Sequence, residues 1–172
     1  MFSYDPYAEL ATLRDFAPLT VTSTDIADGR PLPRAQWGTG AGGTDTSPQL
    51  SWSGAPDGTK SFAVSCFDPD APTGSGYWHW AVYNLPPDVT SLAAGDDRPA
   101  AGIALRNEAG GAGFIGAAPP PGTGVHRYFF VVDALDTVLE LPENASPAIL
   151  GFHRHFHALA RGILVATATS DD

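Results

Sequence analysis

The sequence is poor in positive charge, in cysteine and in long hydrophobic stretches. Its 9 Lys and Arg residues stand against 19 Asp and Glu residues, which gives a formal net charge of −10. Because affinity for nucleic acids and anionic membranes comes mainly from basic residues that release counterions, we exclude nucleic-acid binding. An acidic surface can still contain a locally cationic pocket, so small anions remain candidate ligands.

The low content of cysteine and the lack of long hydrophobic stretches bear on the location and the organisation of the chain. Cysteine occurs once, as Cys66 in an apolar run, which excludes an intrachain disulfide and predicts a buried thiol. No run approaches the roughly 20 apolar residues of a transmembrane segment. The first residues resemble no signal peptide, so we expect a cytoplasmic protein. The length predicts a single domain, 1–172, in which residues 1–15 and 168–172 are loosely ordered tails.

Glycine and proline, by contrast, are abundant. The 19 Gly and 16 Pro residues separate short apolar stretches, which is typical of antiparallel β proteins with long connections. The sequence therefore predicts a mostly β fold, an antiparallel β-sandwich with a few short helices, one of them near the C-terminus. The predicted strands cover residues 19–23, 61–67, 77–85, 126–135 and 163–169. Those at 77–85 and 126–135 are apolar on both faces and should lie in the middle of a sheet.

One helix has clear sequence signals. Ser146 is a favourable N-cap, and Pro147 suits the first helical position. We expect the helix to continue to Gly162, where a closing strand would begin. After Pro147, apolar residues recur every three or four positions and predict an apolar stripe along the helix: Ile149, Phe152, Phe156, Leu159 and Ile163.

Polar residues within and beside the best strands are the candidate site. Asp68 and Asp70 follow a strand in a rigid Asp-Pro-Asp-Ala-Pro turn, which could also simply cap free backbone amides. In the next strand, alternation places His79 on one face with Ala81 and Tyr83. His126 and Tyr128 are two apart and should share a face, with Arg127 on the other. A carboxylate beside these imidazoles would raise their pKa and create a donor-rich spot for phosphate or carboxylate.

These motifs resemble the phosphatidylethanolamine-binding (Raf-kinase-inhibitor-like) family. The likeness rests on the Asp-Pro-Asp-Ala-Pro turn at 68–72, the Trp-His-Trp strand at 78–80 and the segment Pro-Pro-Pro-Gly-Thr-Gly-Val-His-Arg-Tyr at 119–128. It implies a Greek-key-like β-sandwich with a small anion pocket. Carried over by position, the resemblance assigns to this pocket Asp68, His79, Pro119, Pro120, His126 and Tyr128. It places Asp70 close behind the pocket, where it would orient His126 or pair with Arg127.

The ending of the chain, from His157 onwards, is similar to the bacterial branch of the family. The tyrosine gate and extra helix of animal members are missing, which puts their lipid gate and kinase switch in doubt here. The resemblance implies a binding protein for a phosphate, a carboxylate or a phospholipid headgroup. It also implies a signalling or kinase-inhibitor-like role, a protein partner such as a kinase, and a homodimer.

Other interpretations remain open at this point. The same His, Asp and Tyr cluster could serve a small hydrolase or isomerase, although no nucleophile or cofactor motif accompanies it and we expect no enzyme and no cofactor. Asp68, His79 and His126 could hold a metal ion, as could His153 and His157, but we favour an anion. The glycines at 38–43 match G-x-G-x-x-G without opening a helix, so they predict a loop.

Overall fold

The computed structural model describes residues 4–170. Within them it contains nine β-strands, two α-helices and two 3-10 helices, at Arg34–Gln36 and Thr39–Ala41. The helices are α1 (Pro6–Leu13) and α2 (Pro147–His157). The strands are β1 (Ala17–Pro18), β2 (Thr20–Thr22), β3 (Leu50–Ser53), β4 (Ser61–Asp68), β5 (Tyr77–Leu85), β6 (Ser91–Leu92), β7 (Ile103–Ala104), β8 (His126–Leu135) and β9 (Ala158–Ala168).

The strands form two sheets. The larger has the order β1-β9-β8-β4-β5-β7 and the smaller the order β2-β3-β6. All neighbouring strands run antiparallel except β1 and β9, which are parallel. The predicted mostly β sandwich is thus confirmed, and β5 and β8 are interior strands, as their two apolar faces indicated.

The larger sheet is covered on both faces. In β4, Phe62, Val64 and Cys66 point into the main core, which lies between the two sheets. The alternate residues Ala63 and Phe67 point to the opposite face, where they join apolar clusters that involve α1 and α2. Each interior strand therefore buries two sets of side chains, and the two faces can hold different sites.

Helix α2 differs from its prediction in length and orientation. The predicted cap is confirmed, since the Ser146 side chain accepts a hydrogen bond from the backbone N–H of Ile149. The helix ends at His157, however, and the chain enters β9 at once, so the expected continuation to Gly162 is wrong. The buried face carries Leu150 and Arg154, while Phe152 and Phe156 are 62% and 57% exposed. Tertiary packing has overridden the apolar stripe.

Gly162 has a different role from the predicted helix end. It lies inside β9, and a Cβ atom there would come within 2.3 Å of the Leu19 carbonyl oxygen. Glycine is therefore required because the chain at Leu19 crosses the strand in close contact.

The predicted tails also need correction. Residues 6–13 form α1, capped by the Asp5 side chain, which accepts hydrogen bonds from the backbone N–H groups of Tyr7 and Ala8. Tyr7 is buried against Phe129 at a ring-centroid distance of 5.5 Å. At the other end Ala168 is the last residue of β9 and is buried. The predicted tail residues 1–3 and 171–172 lie outside the described residues.

Candidate functional site

Asp68 stands at the end of β4 and uses its two carboxylate oxygens for different purposes. Oδ1 accepts hydrogen bonds from the backbone N–H groups of Asp70 (2.8 Å) and Ala71 (3.1 Å). Oδ2 lies 2.7 Å from Nδ1 of His126. One carboxylate oxygen of Asp68 thus caps the turn, and the other anchors an imidazole.

His126, at the start of β8, is held at both ring nitrogens. Its Nε2 lies 2.9 Å from Oγ1 of Thr123, and that hydroxyl lies 2.6 Å from the carbonyl oxygen of Pro120. The Thr123 hydroxyl therefore lies between the imidazole ring and a backbone carbonyl. Nδ1 of His126 donates to the Asp68 carboxylate, in a buried pair with side-chain exposures of 1% and 3%.

His79 reaches the same cavity by a β-bulge. Cys66 pairs with Trp80 and the next residue of β4, Phe67, pairs with Trp78, which leaves His79 as an extra residue. The alternation argument, which placed it with Ala81 and Tyr83, is therefore wrong. A bulge redirects a side chain at the expense of one pairing. Here it turns His79 towards Tyr128, with ring centroids 5.0 Å apart.

The electrostatics of His79 also differ from the prediction. Burial lowers the pKa of His79, and the hydrogen bond to the Ile115 carbonyl and the charge of Asp68 only partly oppose this. The ring is therefore neutral near pH 7, not charged as expected. Nδ1 lies 2.8 Å from the Ile115 carbonyl oxygen and must donate to it, so Nε2 is the acceptor of the ring.

Tyr128 complements the acceptor nitrogen of His79, because its hydroxyl is a hydrogen-bond donor. Burial, followed by the nearby charge of Asp68, raises the pKa of its phenol far above the usual range. The hydroxyl keeps its proton at all physiological pH values and can donate a hydrogen bond. Between residues 4 and 170, no hydrogen-bond partner is found for this hydroxyl.

These side chains line one cavity of about 270 Å³. This is near the lower limit of pockets that hold drug-sized molecules, about 300 Å³, so the cavity suits a small group. Six of the seven predicted site residues line it: Asp68, His79, Pro119, Pro120, His126 and Tyr128. Ala118, Ala71 and Pro72 add further apolar wall.

Asp70, the seventh predicted residue, does not line the cavity. Its carboxylate accepts two hydrogen bonds from the Arg127 guanidinium, at 2.7 and 2.9 Å, and one from the Arg127 backbone N–H at 2.9 Å. Of the two roles considered, pairing with Arg127 is the one observed. Arg127 lies on the face of β8 opposite His126, as alternation predicted, so the pair fixes the turn and the strand together.

Three contributors were missed in the sequence. Thr123 holds His126, the Ile115 carbonyl holds His79, and Tyr77 lines the cavity with its ring 4.9 Å from that of His79. Thr123 lies three residues before His126, in a segment noted only for its prolines and glycines. A backbone carbonyl such as that of Ile115 leaves no signal in the sequence. Tyr77 could have been found, because it precedes the flagged strand residues directly.

The comparisons with known proteins place the chain in a family. A family model for phosphatidylethanolamine-binding protein matches residues 22–169, and the chain belongs to that family. The chain is 45% identical to the protein YbhB of Escherichia coli K12 over 156 residues, which cover 86% of this chain and 98% of YbhB. It is 38% identical over 148 residues to a putative lipoprotein, LppC, of Mycobacterium tuberculosis, covering 82% and 71%.

The solved structures agree. The fold is similar to that of Escherichia coli YbcL, a member of the mammalian family of these proteins, with a TM-score of 0.84 and 42% identity over 90% of this chain and 99% of YbcL. The resemblance inferred from the motifs at 68–72, 78–80 and 119–128, and its link to bacterial members, is confirmed. In the described part of the chain, no helix is long and apolar enough to cross a membrane.

Proposed function

We propose that this protein binds a small oxyanion, a phosphate or carboxylate group, in the cavity between β5 and β8. The observation that carries the proposal is the set of polar groups around it. Tyr128 offers a donor and His79 an acceptor, and the His126 ring, which Asp68 holds in place, completes the polar part of the wall. Buried polar groups are costly unless they find partners, and a ligand of this kind supplies them.

The neutral His79 ring adds a requirement to the ligand. An acceptor nitrogen repels a fully deprotonated oxyanion, so either the ligand brings a proton or His79 takes one up on binding. A phosphate monoester meets this requirement at small cost, because its second pKa of about 6 lies only about one unit below pH 7 and the bound dianion can take up a proton. A phosphorylated headgroup fits the volume of about 270 Å³, with the remainder of a lipid outside the cavity.

Isothermal titration calorimetry with phosphate, phosphoethanolamine and acetate tests the proposal. We expect binding to take up protons, which is measured as a heat that changes with the ionisation enthalpy of the buffer. His79→Gln should abolish the proton uptake and weaken binding. The matched control is His157→Gln, since His157 lies outside the cavity and its side chain is 42% exposed. Equal losses in both variants would contradict the assignment of the cavity.

A small hydrolase or isomerase is the second candidate, because His79 offers a neutral acceptor nitrogen that could act as a base. We propose binding without catalysis, since the cavity lining within residues 4–170 includes no Ser or Cys, and the Thr73 hydroxyl donates to the Gly76 carbonyl. Assays with nitrophenyl esters and phosphoesters decide between the two. Turnover that His79→Gln removes would favour the enzyme.

Three further proposals concern the role of the protein in the cell. We propose a modulating role towards a signalling enzyme such as a kinase, a homodimeric assembly and a cytoplasmic location. The name of one relative, a putative lipoprotein, suggests a different location as the alternative. Affinity purification from the native cell, light scattering and cell fractionation test them in turn.

A further inference from the structure

A second and larger cavity lies on the opposite face of the six-stranded sheet. It has a volume of about 1,080 Å³ and runs between α1, α2 and the ends of β4 and β5. We call it the helix-side groove. Its apolar lining includes Tyr7, Leu10, Phe67, Trp78, Phe152 and Phe156. The turn at 68–72 separates it from the anion cavity, and Ala71 and Pro72 line both.

The base of the groove contains an unbalanced charge cluster. Arg154 and Arg161 both line the groove, and both bind one carboxylate, that of Asp133, which is fully buried. Arg161 makes two contacts to it, at 2.6 and 3.2 Å, and Arg154 one, at 3.3 Å. Two guanidinium groups share a single negative charge, so the cluster has one positive charge in excess inside a protein of net charge −10.

The neighbouring residues do not neutralise this charge. Arg154 also donates to the hydroxyls of Ser65 (2.8 Å) and Tyr7 (3.1 Å). Burial, only partly offset by the two arginines, raises the pKa of Tyr7, which keeps this phenol neutral. Among the described residues that line the groove, none is Asp or Glu.

Donor capacity is also left over. The Arg161 side chain is only 6% exposed, yet its Nη1 has no hydrogen-bond partner within residues 4–170, and the same holds for the buried Nδ1 of His155. A guanidinium nitrogen without a partner is costly in a protein interior. Because Nη1 itself has almost no accessible surface, an anion at the groove wall supplies the missing charge, and a small movement of the Arg161 side chain brings Nη1 to it.

The upper part of the groove is hydrophobic and open. Phe152 and Phe156 of α2 are more than half exposed, and Leu13 of α1 is 73% exposed. A ligand that fits has an anionic end for the arginines and a hydrocarbon part for the aromatic rim. A cationic or purely polar ligand matches neither region.

We propose that the helix-side groove binds an aliphatic carboxylate of the fatty-acid type, with its carboxylate at Arg154 and Arg161 and its chain against Trp78 and Phe152. This site is independent of the proposed oxyanion cavity. The two differ in the side chains that hold the anion, in volume and in the face of the sheet. They can therefore be tested separately in the same protein.

Calorimetric titrations with decanoate, decanol and decyltrimethylammonium test the charge requirement. We expect decanoate to bind and the cation not to bind. Decanol should bind at least about tenfold more weakly than decanoate, because a hydrogen bond to a charged group is worth at least this factor. Arg161→Met leaves Arg154 and Asp133 balanced and should remove the preference for decanoate without changing decanol. Equal affinities for decanoate and decanol in the native protein would overturn the proposal.

Two variants test the location without disturbing the buried cluster. Gly151 lines the groove on α2, and a Cβ atom there would meet the Trp78 ring at an ordinary 3.8 Å. Gly151→Leu should fold normally and block the chain of the ligand. Phe152→Glu places a repelling charge at the exposed rim. Both should weaken decanoate by tenfold or more, and unchanged affinity in both would refute the location.

His79→Ala and light scattering complete the experiment. His79→Ala should lose phosphate binding and keep decanoate binding. If it loses both, the carboxylate lies in the oxyanion cavity and the groove proposal fails. If decanoate does not bind and Gly151→Leu converts a dimer into a monomer, the groove is a contact between two copies of the chain, which also overturns the proposal.

Discussion

Replacement of Asp133 by Asn gives the most severe test of the electrostatic argument. The side chain of Asp133 is fully buried, and its two partners, Arg154 and Arg161, are 2% and 6% exposed. Asparagine keeps the shape but removes the only negative charge of the cluster. Breaking a buried ion pair from one side typically costs about 3–5 kcal/mol, because the remaining charge has no compensation. Here two guanidinium groups remain, so the upper part of this range applies.

The expected loss is a large part of the total stability. A domain of this kind is stable by about 5–15 kcal/mol, so the free energy of unfolding should fall by a third or more. Urea unfolding followed by tryptophan fluorescence and circular dichroism measures it. The control is Asp136→Asn, which disrupts the exposed pair with His157, with side chains 44% and 42% exposed, and should cost less than about 1 kcal/mol.

Combination with Arg161→Met distinguishes charge imbalance from loss of packing. The single variant Arg161→Met leaves one positive and one negative charge and should cost less than Asp133→Asn. In the double variant only Arg154 remains charged, so the combined cost should fall short of the sum by about 0.5–3 kcal/mol. The argument is refuted if Asp133→Asn costs no more than Asp136→Asn, or if the two costs simply add.

Three further predictions concern the oxyanion cavity and α2. Asp68→Asn should destabilise the fold by about 1–3 kcal/mol in urea unfolding, because it takes the carboxylate acceptor away from the buried Nδ1 of His126; no measurable loss would contradict the pair. Since the pKa of His79 is lower in the folded state, the unfolded chain takes up its proton first as the pH falls below about 6.5. The stability relative to His79→Gln should therefore decrease on acidification, by no more than about 1.4 kcal/mol per pH unit, and a constant difference between pH 8 and 5 would contradict the lowered pKa. Ser146→Ala should cost about 0.5–1 kcal/mol in thermal unfolding, because the hydrogen bond to Ile149 that it removes is long, at 3.3 Å, and no loss would show that this cap contributes nothing.

The sequence predicted the interior strands well because their signal is dense. At 61–67, 77–85 and 126–135 most residues are apolar, aromatic or β-branched, and the observed strands agree within one residue. The small edge strands β6 and β7 contain two residues each and carry no comparable signal. Pairing with β3 and β5 defines them, and such pairing depends on the whole fold.

The prediction of the buried face of α2 was wrong for a different physical reason. An apolar stripe predicts a buried face only if burial is decided by side-chain polarity. The buried cluster on the sheet offers a carboxylate, Asp133, and Arg154 of the helix pairs with it. Leu150 and Arg154 therefore face the sheet, and the phenylalanines turn outward. A single sequence does not reveal this, because Asp133 and Arg154 lie on separate elements.

Most of the candidate site could be predicted because its residues belong to compact motifs. The positions of Asp68, His126 and Tyr128 follow from strand alternation and from a rigid turn. The charge state of His79 could not be predicted, since it depends on the depth of burial and on the Ile115 carbonyl. The anchoring hydroxyl of Thr123 was missed for the same reason, because only the folded loop brings it to His126.

The bulge in β5 has a consequence for how such proteins can change over evolutionary time. Its extra residue directs His79 to the oxyanion cavity, whereas regular pairing would direct the same position to the face of α1 and α2. His79 is the only residue between Trp78 and Trp80, so its deletion would restore regular pairing and leave each tryptophan on its own face. A single codon deletion would thus remove the imidazole from the oxyanion cavity, and the strand would keep its hydrophobic character.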